Sequence, residues 1–360
     1  MSARVEQCRV EQCRVELRSG TSASRTDSRH SGCSDGSRVT VENQPGGEFR
    51  VSALPGAGSR YLQGASSVRL VPGRTTTVTM RLTQGGTVAI RTTARATGAA
   101  IRGTCFILKR LGDGYLGDDH SGCGNAAGRS TTPPVAAGTY ELFAIAPSGY
   151  GHQWVGESGG TGDQRAAARI VVKPGRTVQA PRVLLDPPGT VTGVVSDASG
   201  APLPGADVAY SAWGAQDGPN WNTTTDREGR YTVDRLGPYG WPLLFHSEGH
   251  PREWSGHRGN RFLADRVPIT AGAITSYDFS MARATATLTG RVAVPASPGA
   301  TWRIHAYNAF TGDEMAAVDG TGRYSLPLIG PQLAEISWSY DADDVPWTEG
   351  RLDPAVKIPT

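Results

Sequence analysis

The sequence predicts an all-β protein made of tandem β-sandwiches, and three observations carry that reading. The chain has 47 glycines and 24 prolines in 360 residues, which calls for many turns and short elements rather than long helices. Apolar residues alternate at period two in short stretches such as TVTGVV and RYTV, as in strands that turn one face to a core. The pattern also recurs: Gly322 follows Gly229 by 93 residues, as Trp347 follows Trp254, a spacing that suits one sandwich per copy.

Taken in order, residues 1–40 begin with RVEQC-RVEQC-RVEL and continue rich in Ser, Arg and Gly. Such a segment buries little and is expected to be disordered. Residues 41–83 read as a partial copy, in which GGEFRVSALPG (46–56) answers the later EGRYTVDRLG and SSVRLVPGRTTTVTMRL (66–82) supplies strand, turn and strand. Residues 84–186 are a second copy. Residues 187–283 are the clearest: GTVTGVVSDASGAPLPGADVAY (189–210) gives two strands around a turn at Asp197 to Gly200. TTTDREGRYTVDRL (223–236) then turns at Asp226 to Gly229 and offers Tyr231, Val233 and Leu236 as an apolar face. Residues 284–360 are a fourth copy that stops before its turn glycine and last strand. Both ends look cut through a domain, so the expectation is a gene fragment or a misplaced start. The lack of an apolar leader then does not count against export. Asp186-Pro187-Pro188 reads as a stiff linker between copies that each bury their own core, giving a semi-rigid rod.

A formal charge of +3 and scattered arginines give no footprint for nucleic acid. Only three of the 36 basic residues are lysine, a bias that suggests a high-GC bacterial genome. No apolar run approaches the length of a membrane span, and no phosphate loop, zinc-protease helix or dinucleotide fingerprint occurs. No cofactor is expected. Cys105 and Cys123 sit on the two arms of one hairpin. A disulfide there would contribute about 3 kcal/mol in an oxidising compartment, the alternative being two buried thiols.

Several residues invite a chemical reading. Gly156-Glu157-Ser158-Gly159-Gly160 fits the G-x-S-x-G turn that presents a nucleophilic serine. The equivalent slot in the next copy, PREWSGHRGN (251–260), carries Arg258 instead, so Ser158 is expected to be scaffold and no catalytic residue is assigned. HSEGH places His246, Glu248 and His250 at alternate positions with His257 nearby, a conceivable metal set; Gly249 is expected to break that strand. The acidic groups Asp118-Asp119-His120 and Asp341-x-Asp343-Asp344 lack the order of a calcium loop, and no metal site is assigned. Among eight tryptophans, Trp154 and Trp254 recur at one slot and read as packing residues. Trp213 and Trp221 flank the polar loop GAQDGPN and are the candidate platform for a sugar ring.

The pattern G-T-V-T-G-V-V-x-D-x-x-G-x-P-L-P-G-A-x-V, followed by D-x-x-G-R-Y-T-V, over 189–233, resembles the carboxypeptidase regulatory-like domains. The W-x-G…A-x-x-V-x-V-x-x-G ending is similar to tandem copies in secreted proteins of high-GC Gram-positive bacteria. The resemblance implies seven-stranded, transthyretin-like (prealbumin-like, Greek-key) β-sandwiches grouped with starch-binding-like folds and carrying no catalytic residues. The function expected from it is a non-catalytic secreted or cell-surface protein of spacer and interaction modules. The alternative is the starch-like glucan-binding region of a polysaccharide hydrolase such as an α-amylase, with any activity lying elsewhere. The expected partner is a polysaccharide or cell-envelope component, without nucleic acid and without membrane insertion.

Overall fold

The computed structural model describes residues 2–6, 13–19, 31–32, 38–42, 46–56, 58–111, 118–210, 222–291, 301–311, 314–320, 323–342 and 345–358. Among these the chain is all-β, with a single 3-10 turn at Gln164–Ala166 as its helix.

One two-sheet plan recurs. In the second copy Thr87–Ala94 lies between antiparallel Arg129–Thr131 and two parallel segments, Thr177–Gln179 and Val183–Leu185. The facing sheet runs from Asp118–Ser121 through Cys105–Arg110 and Gly138–Ile145 to Gln153–Val155. In the third copy Gly189–Ser196 is flanked by Arg230–Leu236 and by parallel Ile274–Ser276 and Phe279–Ser280. Its second sheet orders Asn222–Thr224, Asp207–Ala209, Leu244–His246 and Glu253–Trp254. The alternation read from the sequence sets the cores: Val88, Ile90, Phe106, Leu108, Tyr140 and Leu142 close the second sandwich. Val191, Val195, Val208, Tyr231, Val233 and Phe245 close the third, with Phe245 stacked on Phe279 at 3.9 Å.

The turns form as their residues dictate. The Asp197 carboxylate accepts from the N–H groups of Ser199 and Ala201, and that of Asp226 from Glu228 and Arg230. Gly229 has φ +72°, and a Cβ there would stand 2.5 Å from the Val195 carbonyl oxygen, so the position requires glycine on both counts.

The first copy differs from expectation. Ser2–Glu6 and Cys13–Ser19, in the segment expected to be disordered, are strands: the former pairs with Arg38–Glu42 and Thr76–Thr79, the latter with Gly47–Pro55. Sheet pairing is made by backbone groups, so a stretch with few apolar residues completes a ladder that composition does not announce. The alignment of 46–56 with EGRYTVDRLG also shifts by one strand. Gly47–Pro55 takes the place of Gly138–Ile145, and Arg38–Glu42 that of Arg230–Leu236. In the fourth copy Thr301–Asn308 lies between Glu314–Gly320 and Gln332–Ala342. Ala286–Arg291 pairs with Arg323–Leu328 and, among the described residues, with no parallel last strand.

Candidate functional site at the junctions between repeats

Strand Cys105–Arg110 is apolar on both faces. Phe106 and Leu108 enter the second core, whereas Ile107, on the opposite face with its cross-strand partner Phe143, belongs to the core of the third copy. A sheet with both faces covered reads as a continuous apolar run, and CFIL is one. Trp154 pairs with Phe143 across the sheet and meets its ring edge-on at 5.1 Å; Trp241, fully buried, meets Phe143 at 6.4 Å and Tyr210 at 5.5 Å. Each copy keeps its own core, and the outer face of the second copy's sheet, through Ile107, Phe143, Trp154 and Ala167, is built into the core cluster of the third.

Hydrogen bonds fix the register of this contact. The His152 N–H donates to the Arg235 carbonyl (2.7 Å) and the Gly237 N–H to the His152 carbonyl (2.9 Å). Gly151 lies so close to Gly237 that a Cβ would come within 2.5 Å of its backbone. The Tyr239 hydroxyl sits 2.8 Å from both Gln153 Oε1 and Asp186 Oδ2, and Arg95 Nε donates to the same carboxylate. Burial raises the Tyr239 phenol above its usual range. Asp186, expected as a linker residue, is therefore held from both sides. Arg266 of the third copy pairs with Asp163 of the second at 2.8 Å. His152 is buried, its ring lies parallel to Tyr210, and its Nδ1 accepts from the Ala146 N–H at 2.9 Å. Burial, with Arg235 nearby, lowers its pKa to about 3, so it is neutral.

The third and fourth copies meet through polar groups. Arg252 pairs with Glu314 at 2.9 Å, both largely covered, and His305 lies 2.8 Å from the same carboxyl group. Burial acts to raise the Glu314 pKa, but the His305 hydrogen bond and the Arg252 charge hold it below the usual range. Asn260 Nδ2 donates to Asn308 Oδ1 (3.5 Å), and Arg261 Nη2 to the Thr311 carbonyl (3.4 Å). Where the second, third and fourth copies converge there is a cleft of about 600 Å³.

The sequence-derived candidates fall as follows. Trp213 and Trp221 lie outside the described residues. Cys105 and Cys123 lie side by side, their Cα atoms 4.0 Å apart and their sulfurs within bonding distance; Cys105 is half-buried and Cys123 exposed. Ser158 is exposed, in a turn closed by the Gly156 N–H donating to the Gly159 carbonyl. That turn joins Gln153–Val155 to Gly160–Thr161 and is no strand-to-helix elbow. The HSEGH strand ends at His246, which faces Asp207 at 3.5 Å; His250 approaches the Glu248 carbonyl, and His257 sits 2.9 Å from buried Glu253. These histidines serve separate partners, and no cluster of metal-ligating side chains occurs among the described residues. Trp154 and Trp254 are both buried and line one small space between the copies. The acidic Asp341-x-Asp343-Asp344 group and the side chains of Asp118-Asp119-His120 lie outside the described set. Sequence reading missed Glu141, Gln164 and Arg261. Only Glu141 carried a signal, a lone charge in apolar company in TYELFAI.

These features define a class, an array of β-sandwiches with interlocked neighbours. Residues 190–282 match the model of the carboxypeptidase regulatory-like domain. No curated protein matches the sequence. Solved structures that the chain resembles include the TIE protein of Bacillus anthracis, at 13% identity over 98% of this chain and 67% of that one, with a TM-score of 0.23. A streptococcal ancillary pilin gives 13% identity over 77% of this chain and 98% of that one, TM-score 0.22. GBS52, the minor pilin of Streptococcus agalactiae, gives 12% over 59% and 99%, TM-score 0.24. Among the described residues no helix is long and apolar enough to cross a membrane.

Proposed function

We propose that the chain is a non-catalytic spacer and interaction module of a secreted or cell-surface protein, in which consecutive sandwiches are locked in orientation. One observation carries this: the apolar cluster that runs from Ile107, Phe143 and Trp154 of the second copy into the third. A contact that shares a core, with backbone hydrogen bonds on its rim, resists the relative motion that a bare linker would permit. The adjacency of Cys105 and Cys123 supports an oxidising compartment, and the carboxypeptidase regulatory-like match supports an accessory rather than a reacting domain.

Hydrogen exchange on the full chain tests the reading. The amides of His152 and Gly237 are expected to be protected to the same degree as those of the third core. Exchange as fast as that of exposed turns, with the cores still protected, would mean that the copies move independently and would sink the proposal.

A further inference from the structure

The cleft where three copies converge concentrates charge that the chain as a whole does not have. Its walls carry five cationic side chains, Lys109, Arg110, Arg165, Arg169 and Arg261, against the two carboxylates Glu141 and Glu335, in a chain whose formal charge is only +3. Glu141 is buried, takes a hydrogen bond from Gln164 Nε2 at 2.7 Å and stands opposite Lys109 across the strands. Burial raises its pKa, while Arg261, Arg169 and Lys109 pull it back down. Arg165 is engaged by Asp163 at 3.1 Å, and Arg110 Nη2 donates to the Ala137 carbonyl at 2.9 Å. Arg169 is exposed and Lys109 half-exposed. Low-dielectric walls around one sign of charge focus the field into the opening.

The walls also carry flat apolar faces. Phe262 lies under the guanidinium groups of Arg261 (5.0 Å) and Arg165 (5.6 Å), which fixes its ring. Phe310, on the fourth copy, is 72% exposed beside the opening and presents an open ring face there. Guanidinium groups recognise carboxylate or phosphate by paired hydrogen bonds, and an exposed ring face suits the C–H face of a sugar.

We propose that this cleft binds an anionic saccharide, with its carboxylate or phosphate held by Arg169 and Lys109 and its ring laid on Phe310. The site rests on the locked junctions of the spacer reading, because residues of the second, third and fourth copies line one cleft only while those copies hold their orientation; hydrogen exchange at His152 and Gly237 tests that orientation independently of any ligand. The site differs from a neutral-glucan platform at Trp213 and Trp221.

Calorimetry on the full chain is the test, with four probes at low salt: a uronic-acid tetrasaccharide, a phosphorylated oligosaccharide, inorganic phosphate and a neutral glucan tetrasaccharide. At least one anionic saccharide is expected to bind more tightly than the neutral one, and to weaken as salt rises. Preference between uronate and phosphosugar, with phosphate as competitor, identifies the anionic group. Lys109→Ala/Arg169→Ala is expected to weaken that binding about tenfold or more, the loss of about 1.4 kcal/mol. Phe310→Ala is expected to weaken it several-fold. All three substituted positions are solvent-facing, and an unchanged melting temperature confirms folded variants. Equal binding of the neutral glucan, no binding of either anionic saccharide, or wild-type affinity in the folded double variant would each overturn the proposal.

Discussion

Lowering the pH from about 7 to 5 should weaken the junction between the second and third copies through His152. The ring is buried, accepts a hydrogen bond at Nδ1 from the Ala146 amide, and faces Tyr210 and the fixed charge of Arg235. Burial, then Arg235, brings its pKa from 6.5 to about 3. The unfolded chain therefore binds a proton that the folded chain refuses between those values, and stability falls with pH across that window. It is fully present above about 6.5. At about 1.4 kcal/mol per unit, the fall to pH 5 costs about 2 kcal/mol. Glu141 and Glu253, whose pKa values burial raises, act in the opposite sense, because their folded-state penalty is relieved on acidification. The test must therefore compare variants. In His152→Asn, the amide oxygen can take the Ala146 hydrogen bond without titrating. Urea titrations at pH 7, 6 and 5 should show the wild type losing about 2 kcal/mol more than the variant, by the same linkage. Parallel pH slopes for the two proteins would refute the buried neutral histidine.

Trp241→Ala should cost about 3 to 5 kcal/mol, as for other buried aromatics; calorimetry should show the second and third copies, one transition in the wild type, separating into two. Reducing the Cys105–Cys123 pair, whose positions are 18 apart, should lower stability by about 3 kcal/mol, and a free-thiol assay on the unreduced chain should detect neither cysteine. Arg252→Met should cost about 3 kcal/mol by leaving Glu314 buried without its cation. Most of that should return in Arg252→Met/Glu314→Gln, as read in urea melts; an unrecovered loss would mean that Arg252 acts by packing.

Much of the fold was legible because it is written locally. The aspartates that close the turns at Asp197 and Asp226, and the alternation of Val191, Val195, Tyr231 and Val233, specify strands and faces without reference to the rest of the chain. What escaped depends on neighbours. Nothing in period-two alternation says whether an outward face meets water or another copy, so Trp154 was read as packing while its partners across the junction were invisible. CFIL and YELFAI did carry the signal, in apolar residues on consecutive positions, where a one-faced strand would alternate. Arg261 escaped for the same reason: its sequence places it in a loop, and only the arrival of the fourth copy buries it. The strands at Ser2–Glu6 and Cys13–Ser19 escaped because composition measures side chains, whereas the ladder they join is bonded through the backbone.

The two junctions are built from different forces, and that has a consequence for the cleft between them. The contact of the second and third copies is apolar at its centre, with the Arg266–Asp163 pair and hydrogen bonds on its rim, so screening of charges reaches only the rim. The contact of the third and fourth depends on Arg252 with Glu314 and on Arg261 with Thr311, bonds that demand orientation and fail singly. Arg261 belongs to that junction and to the cleft wall at once. Any ligand that the cleft holds only in its closed form must therefore tighten the third–fourth contact by its own binding free energy. The same linkage requires that loosening this contact, as in Arg252→Met, weakens the ligand even though Arg252 does not line the cleft.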